Sequence, residues 1–321
     1  MAGTREATTS YTVPWTGEPR ELVVHAWYET DDTSGTAARW LDAFEDTNSW
    51  VDAAFAPRAK CKAPLVVYSH GSQGWAGNAT PLMRQLVNAG WVAVAPDHTD
   101  NLLTQNVEPK PETFPLLRTL DVSATLDWIA GLPEGDPLHD RVDTEHVLVF
   151  GHSYGAQTSW LLGGPTFDPA AIEARCEASE LGCTEAEVAA YTERAVDPRV
   201  VAVAPFAGSA GTDLVAESGW ATLDRPVLYM TGSEDGDGTE AFTRASAGDV
   251  TWVELAGGCH ESFTTTTIPC DLDKTLSLTV TATYLADFAV HEVLGSEDEA
   301  VLGVLDGSIV VDPVATLQTS R

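Results

Sequence analysis

A mostly parallel central sheet flanked by helices, an α/β fold, is what this sequence predicts. Strand-like and helix-like segments alternate along the chain, the pattern left by strands joined through crossover helices. The run WVAVAPD (91–97) is apolar almost throughout, as a strand covered on both faces must be. The 321 residues are 44% hydrophobic and 20% charged, without an internal repeat, low-complexity tract or linker. That composition suits one domain over 1–321 with a sizeable core.

Residues 21–28 (ELVVHAWY) and 64–69 (PLVVYS) read as the first strands. Thr80 is a candidate cap for a helix with Pro81 in its first turn, Leu82 and Leu86 on one face, and Gly90 at its end. After strand 91–97, a second helix carries Val122, Leu126 and Ile129 on one stripe and stops at Gly131 and Pro133. HVLVF (146–150) is the next strand, and a helix follows from near Gly155. Residues 165–198 are acidic and Ala-rich and hold no strand candidate, so they read as a helical insertion over the sheet, lid-like or walling a pocket. Strands resume at 199–208, 226–232 and 250–257. A last amphipathic helix places Leu276, Val280, Tyr284 and Phe288 at four-residue steps before Gly295.

Chemistry concentrates where strand 146–150 ends, in Gly151-His152-Ser153-Tyr154-Gly155. A turn needs one glycine, and this corner has two around a serine. The first lets the chain swing sharply and the second lets the next helix sit close, which thrusts Ser153 outward from a strained backbone. A serine hydroxyl needs a base to take its proton and a third group to orient that base. In a parallel sheet such groups collect at the carboxyl ends of strands. Strand 226–232 ends in Ser233-Glu234-Asp235-Gly236-Asp237, and strand 250–257 ends in Gly258-Cys259-His260. Of eight histidines only His260 and His291 follow Ser153, and His291 lies within the last helix. His260 is therefore the candidate base and Asp235 the candidate acid, with Asp237 and Glu234 as alternatives. The oxyanion needs two N–H donors. Tyr154 supplies one backbone N–H, and Ser72 in the turn His70-Gly71-Ser72-Gln73-Gly74 supplies the other; the His70 side chain is expected to be structural. Trp75 beside that turn is a candidate substrate wall, and Trp160 is expected in the core.

The charge balance is lopsided, with 48 acids against 17 bases and a net of −31. Phosphate-rich partners need clustered Lys and Arg, so nucleic acid and anionic membrane surfaces are excluded as partners. An acidic, Lys-poor surface serves solubility, or hydration in a high-salt habitat. No apolar run is long enough to span a bilayer. MAGTREATTS lacks the apolar core of a secretion signal. Cys176 with Cys183, and Cys259 with Cys270, form two candidate disulfides and leave Cys61 over. They favour a secreted or periplasmic protein whose signal is absent from this sequence, with the cytoplasm as the alternative. Cysteine and histidine spacings match no metal signature, so no metal or organic cofactor is expected. A monomer is favoured.

Together these residues resemble the α/β-hydrolase superfamily, and within it the bacterial platelet-activating-factor acetylhydrolase and dienelactone-hydrolase-like group. The likeness runs through Ala26-Trp27-Tyr28, Ser69-His70-Gly71, Ala95-Pro96-Asp97-His98, Asp121-Val122 leading into a helix, Gly-His-Ser-Tyr-Gly, and His260 followed by Phe263. It implies a catalytic Ser153, Asp235 and His260 with Ser72 as an oxyanion donor. Dienelactone hydrolases carry cysteine where this chain has Ser153, which argues against dienelactone as substrate. The implied activity is carboxylic-ester hydrolysis through an acyl-enzyme, on small or polymeric esters. Alternatives are a cutinase-like polyester hydrolase, a thioesterase or acyltransferase, and a binding protein on the same scaffold.

Overall fold

A computed structural model describes every residue except Ala210, Thr212, Asp213, Asp237 and Arg321. Its strands are β1 (Ala2–Thr12), β2 (Pro19–Tyr28), β3 (Ala37–Trp40), β4 (Phe44–Val51), β5 (Ala63–Ser69), β6 (Val92–Asp97), β7 (Val142–His152), β8 (Val200–Phe206), β9 (Val227–Gly232), β10 (Val250–Leu255) and β11 (Ala315–Thr319). All belong to one sheet of order β11-β10-β9-β8-β7-β5-β6-β2-β1-β4-β3. The centre, from β6 through β10, is parallel; β2 joins β6 antiparallel, and β11 joins β10 antiparallel. The helices are α1 (Thr80–Asn88), α2 (Phe114–Ala130), α3 (Tyr154–Leu162), α4 (Pro169–Ala178), α5 (Glu185–Thr192), α6 (Glu217–Trp220), α7 (Thr239–Ala245), α8 (Lys274–Glu292) and α9 (Glu299–Asp306).

Alternation along each central strand sends side chains to two separate cores. Val66, Tyr68, Leu148 and Phe150 pack with Leu82 and Leu86 of α1 and with Val280, Tyr284 and Phe288 of α8. Leu65, Val67, Val147 and Val149 face the other way, onto Val122, Leu126 and Ile129 of α2 and Trp160 of α3. The parallel sheet covered on both faces is therefore present, and the strands read from the sequence lie where the apolar runs placed them.

Several local expectations need correction. The residue before α1 is Ala79, and Thr80 is the first helical residue, its hydroxyl donating to the Gly77 carbonyl at 2.6 Å instead of capping an N–H. Asp121 sits inside α2, which is longer than its apolar stripe suggested, and does not precede it. The helix ending near Gly295 is followed by α9 and the edge strand β11. At the other end β1 pairs with β2 over ten residue pairs from Gly3 to Thr12, and β3 and β4 form a hairpin that extends the sheet beyond β1. Residues 165–198 are helical as expected, as α4 and α5. They bury Ile172 and Tyr191 in the core that α2 faces, and the Tyr191 hydroxyl donates to the Glu112 carbonyl.

Candidate active site

Ser153 is the single residue between the end of β7 and the start of α3, with φ 57° and ψ −116°. A non-glycine residue holds such a conformation only when its surroundings enforce it. The two flanking glycines explain how. A Cβ on Gly155 would lie 1.8 Å from the Ser69 carbonyl oxygen, and one on Gly151 would lie 2.2 Å from the Gly155 oxygen. Bare backbone on both sides lets α3 start directly against the end of β5. The Ser153 N–H donates to Phe206 O of β8 at 2.9 Å, which fixes the corner from the other neighbouring strand.

From this corner Ser153 Oγ lies 2.8 Å from His260 Nε2, and His260 Nδ1 lies 2.8 Å from Asp235 Oδ1. The three residues come from the ends of β7, β10 and β9. A short 3-10 turn, His260–Phe263, carries the imidazole; Phe263 buries itself against Phe206, and the Cys259–Cys270 disulfide closes the loop around it. His152 donates from Nε2 to the His260 carbonyl at 2.7 Å, tying the base back to the corner. The hydrogen bond to Asp235 raises the His260 pKa above its ordinary value, against an opposing effect of burial. Glu234 is exposed, and Asp237, the other alternative acid, lies outside the described residues.

The turn after β5 comes equally close. A Cβ on Gly71 would lie 3.2 Å from Ser153 Cβ, and Ser72, Ser153 and His260 line one cleft. Tyr154 begins α3, so its N–H has no acceptor within the helix. Sequence reasoning missed what holds this turn. Arg118 of α2, fully buried, donates to the His70 carbonyl, to Ser69 Oγ at 3.2 Å, to Thr158 Oγ1 at 3.1 Å and to Asn101 Oδ1 at 2.6 Å. Asn101 in turn donates to Ser72 Oγ at 3.1 Å. The His70 side chain is structural as expected: Nδ1 donates to Gly71 O at 2.7 Å and Nε2 accepts from His98 N–H at 3.0 Å. Behind them Asp121 accepts from Tyr11, Arg20 and His98. Burial works to raise the Asp121 carboxyl, but the hydrogen bonds from His98 and Arg20 outweigh it and hold the group at about 2. A signal was present in the sequence: Arg118 and Asp121 fall on or beside the stripe of Val122, Leu126 and Ile129, where a charge has no business unless it is paired.

The cleft has a volume of about 670 Å³. Trp75 lines it and is stacked on Phe44 of the β3–β4 hairpin, ring centroids 4.4 Å apart and planes 8° apart. Arg84 and Asp46 form an ion pair at 2.5 Å on the same wall. Among the described residues, none from 165–198 lines this cleft; the β3–β4 hairpin overhangs it instead. Trp160 is fully buried, as expected.

Both candidate disulfides, Cys176–Cys183 and Cys259–Cys270, are formed, and Cys61 is free and exposed. Among the described residues, one group has metal-ligating atoms in mutual reach, His152, His260 and Glu261, within 4.8 Å of one another. His260 already spends both ring nitrogens on Ser153 and Asp235, so a metal there would displace one of those hydrogen bonds. No helix among the described residues is long and apolar enough to cross a membrane.

No protein-family model and no curated protein matches the chain by sequence. Among solved structures, a ferulic acid esterase from Streptomyces cinnamoneus superposes with a TM-score of 0.70 at 21% identity, covering 99% of this chain and 96% of that one. The chain has the α/β-hydrolase fold.

Two expectations follow. A Gly155→Ala substitution drives a methyl into the Ser69 carbonyl, backbone against backbone, and should destabilise by more than the roughly 1–3 kcal/mol of ordinary overpacking; urea unfolding measures it. The second concerns pH. Burial holds His98 down at about 3, His152 at about 4 and His70 well below the ordinary histidine value, aided by Arg118, His260 and His98 respectively. The unfolded chain takes up these protons near pH 6.5 and the native protein does not, so stability drains as pH falls below that point. His260, with its raised value, acts oppositely and is fully stabilising below pH 6.5. Three groups outweigh one. Thermal unfolding temperature should fall steadily from pH 7 to pH 5, and a flat profile would contradict the burial of those imidazoles.

Proposed function

We propose that the protein is a serine hydrolase that cleaves carboxylic esters through an acyl-enzyme. The observation that carries this reading is the continuous chain of Ser153 Oγ, His260 Nε2, His260 Nδ1 and Asp235 Oδ1, each contact 2.8 Å. With the proton on Nδ1 directed at Asp235, Nε2 is free to accept the Ser153 proton as Oγ attacks the ester carbon. The N–H groups of Ser72 and Tyr154 receive the oxyanion. Collapse expels the alcohol, which takes its proton from His260. Water, deprotonated by the same imidazole, then attacks the acyl-enzyme and releases the acid and Ser153. That the Streptomyces protein of this fold is a ferulic acid esterase supports the reaction class. The Gly-His-Ser-Tyr-Gly corner and the Ser69-His70-Gly71 turn favour the acetylhydrolase-like branch of the superfamily. Two disulfides fit an oxidising, extracytoplasmic setting.

A finer reading concerns the substrate. The Phe44–Trp75 stack offers a flat apolar shelf beside the serine, with Phe44 40% exposed, suited to a planar aromatic group on the acyl or alcohol side of an ester or polyester. Acyl-CoA fits less well. Arg84 is the only lysine or arginine among the described residues lining the cleft, and Asp46 already pairs with it, which leaves no cation for the coenzyme's phosphates.

Replacing Ser153 by Ala should lower kcat by at least about 10⁴-fold with the fold intact, and abolish labelling by a fluorophosphonate. Catalysis needs neutral His260, and its pKa is raised, so the acidic limb of kcat/KM should have its midpoint above pH 6.5. Asp235→Asn should move that limb downward and cut kcat by about 10⁴-fold; an unmoved limb would exclude Asp235 as the partner. For the shelf, Phe44→Ala should reduce kcat/KM for methyl cinnamate by about 3–10-fold while sparing methyl acetate. Equal losses on both esters would remove the shelf but not the hydrolase.

A further inference from the structure

A second groove, of about 530 Å³, opens between the β1–β2 turn, α2 and the end of α5. Its walls are largely apolar, formed by Trp15, Leu116, Leu120, Leu162, Ala190 and Val196. Arg194 is the one lysine or arginine among the described residues lining it. The guanidinium donates to the Leu161 carbonyl at 2.7 Å and to the Pro165 carbonyl at 3.0 Å, and lies 5.0 Å from the centre of the Phe167 ring. These bonds fix its position while using two of its five donors. No carboxylate among the described residues pairs with it. The acids on the same wall are Glu193, which is exposed, and Asp197, whose two oxygens are taken by Arg199 at 2.9 and 2.7 Å. Burial alone lowers the Arg194 pKa to about 10, with no neighbouring acid opposing it, and the group stays charged at neutral pH.

A half-buried cation tied to two carbonyls and without a counter-charge is unusual in a protein. It is more so in a chain with 48 acids and 17 bases, where a carboxylate for every arginine is easily found. An open apolar groove with one unpaired, pre-positioned guanidinium at its wall has the chemistry of a fork for a single carboxylate above a non-polar bed. A doubly charged phosphate would meet Glu193 and Asp197 with only one cation to offset them. We propose that this groove binds an amphipathic monocarboxylate, its carboxylate on Arg194 and its apolar body against Trp15, Leu120 and Ala190. The site is separate from the cleft that holds Ser153 and shares no lining residue with it.

Titration calorimetry with octanoate, alongside hydrogen-exchange mass spectrometry, tests this directly. Octanoate should bind one per chain and slow amide exchange over 186–197 and around Trp15. Octan-1-ol should bind at least about ten-fold more weakly, as should octanoate to Arg194→Gln, the loss expected for a charge-assisted hydrogen-bonded pair. Ala190→Trp fills the groove without touching the cation and should abolish binding, which decides the matter if Arg194→Gln does not fold. No binding, protection confined to the Ser153 cleft, or undiminished affinity in either folded variant would overturn the proposal.

Discussion

At Ser153 the chain turns from strand to helix through a positive φ of 57° that an L-residue avoids, and most of the site depends on that turn. The strain is borne by contacts that leave no alternative. Ser69, at the end of β5, meets Gly155 so closely that any side chain there is excluded, and Phe206 of β8 holds the serine's own N–H. The corner is thus clamped by both strands adjacent to β7. Relaxing Ser153 to an ordinary conformation would swing Oγ away from His260 and pull α3 off the sheet. The glycines leave this constraint to the fold instead of to a flexible loop, so packing alone fixes where the hydroxyl points.

The turn that carries Ser72 is secured differently. Beyond the end of β5 a buried polar lattice holds it in place. Arg118 reaches the His70 carbonyl, the Ser69 hydroxyl and, through Asn101, the Ser72 hydroxyl, while its plane lies 4.8 Å from the Tyr154 ring. One side chain on α2 therefore touches both segments that carry the proposed N–H donors. Such a lattice is costly unless every member is satisfied, and Asp121 with its three donors closes it at the base. Helix α2 acts as a plug that sets the distance between the turn and the corner.

How much of this was legible follows from where the signal lies. The meeting of Ser153, Asp235 and His260 could be anticipated because each stands at the end of an apolar run, and the sheet brings the three into hydrogen-bond contact. The central strands could be read because burial on both faces leaves an unbroken apolar stretch. β1 could not: REATTSYT (5–12) alternates half-buried and exposed residues, and its polar face looks like a loop. β11, with five mostly exposed residues, carries even less pattern. The hairpin of β3 and β4 hides in an acidic segment, and its overhang on the cleft arises from the stacking of Phe44 on Trp75 across thirty-one positions of sequence, which no local period encodes. For the same reason the acidic 165–198 segment looked like the natural cover for the cleft, because it was the visible insertion. Its apolar residues are drawn to the α2 face, and the structure leaves it there.

The charge distribution completes the division of labour. A net charge of −31 spread over the surface repels itself and favours expansion, an effect that salt screens over a Debye length of about 8 Å at physiological strength. The contacts that set the site are of another kind. Asp121 and Arg118 are fully buried, and Asp235 is held 2.8 Å from His260 in the wall of the sheet, all closer than any ion atmosphere can intervene. Added salt therefore acts on the global balance between folded and unfolded chain, relieving surface repulsion, while the alignment of serine, imidazole and carboxylate stays as packing and hydrogen bonding set it. Ionic strength therefore reaches the stability of the chain and leaves the geometry of these buried contacts alone.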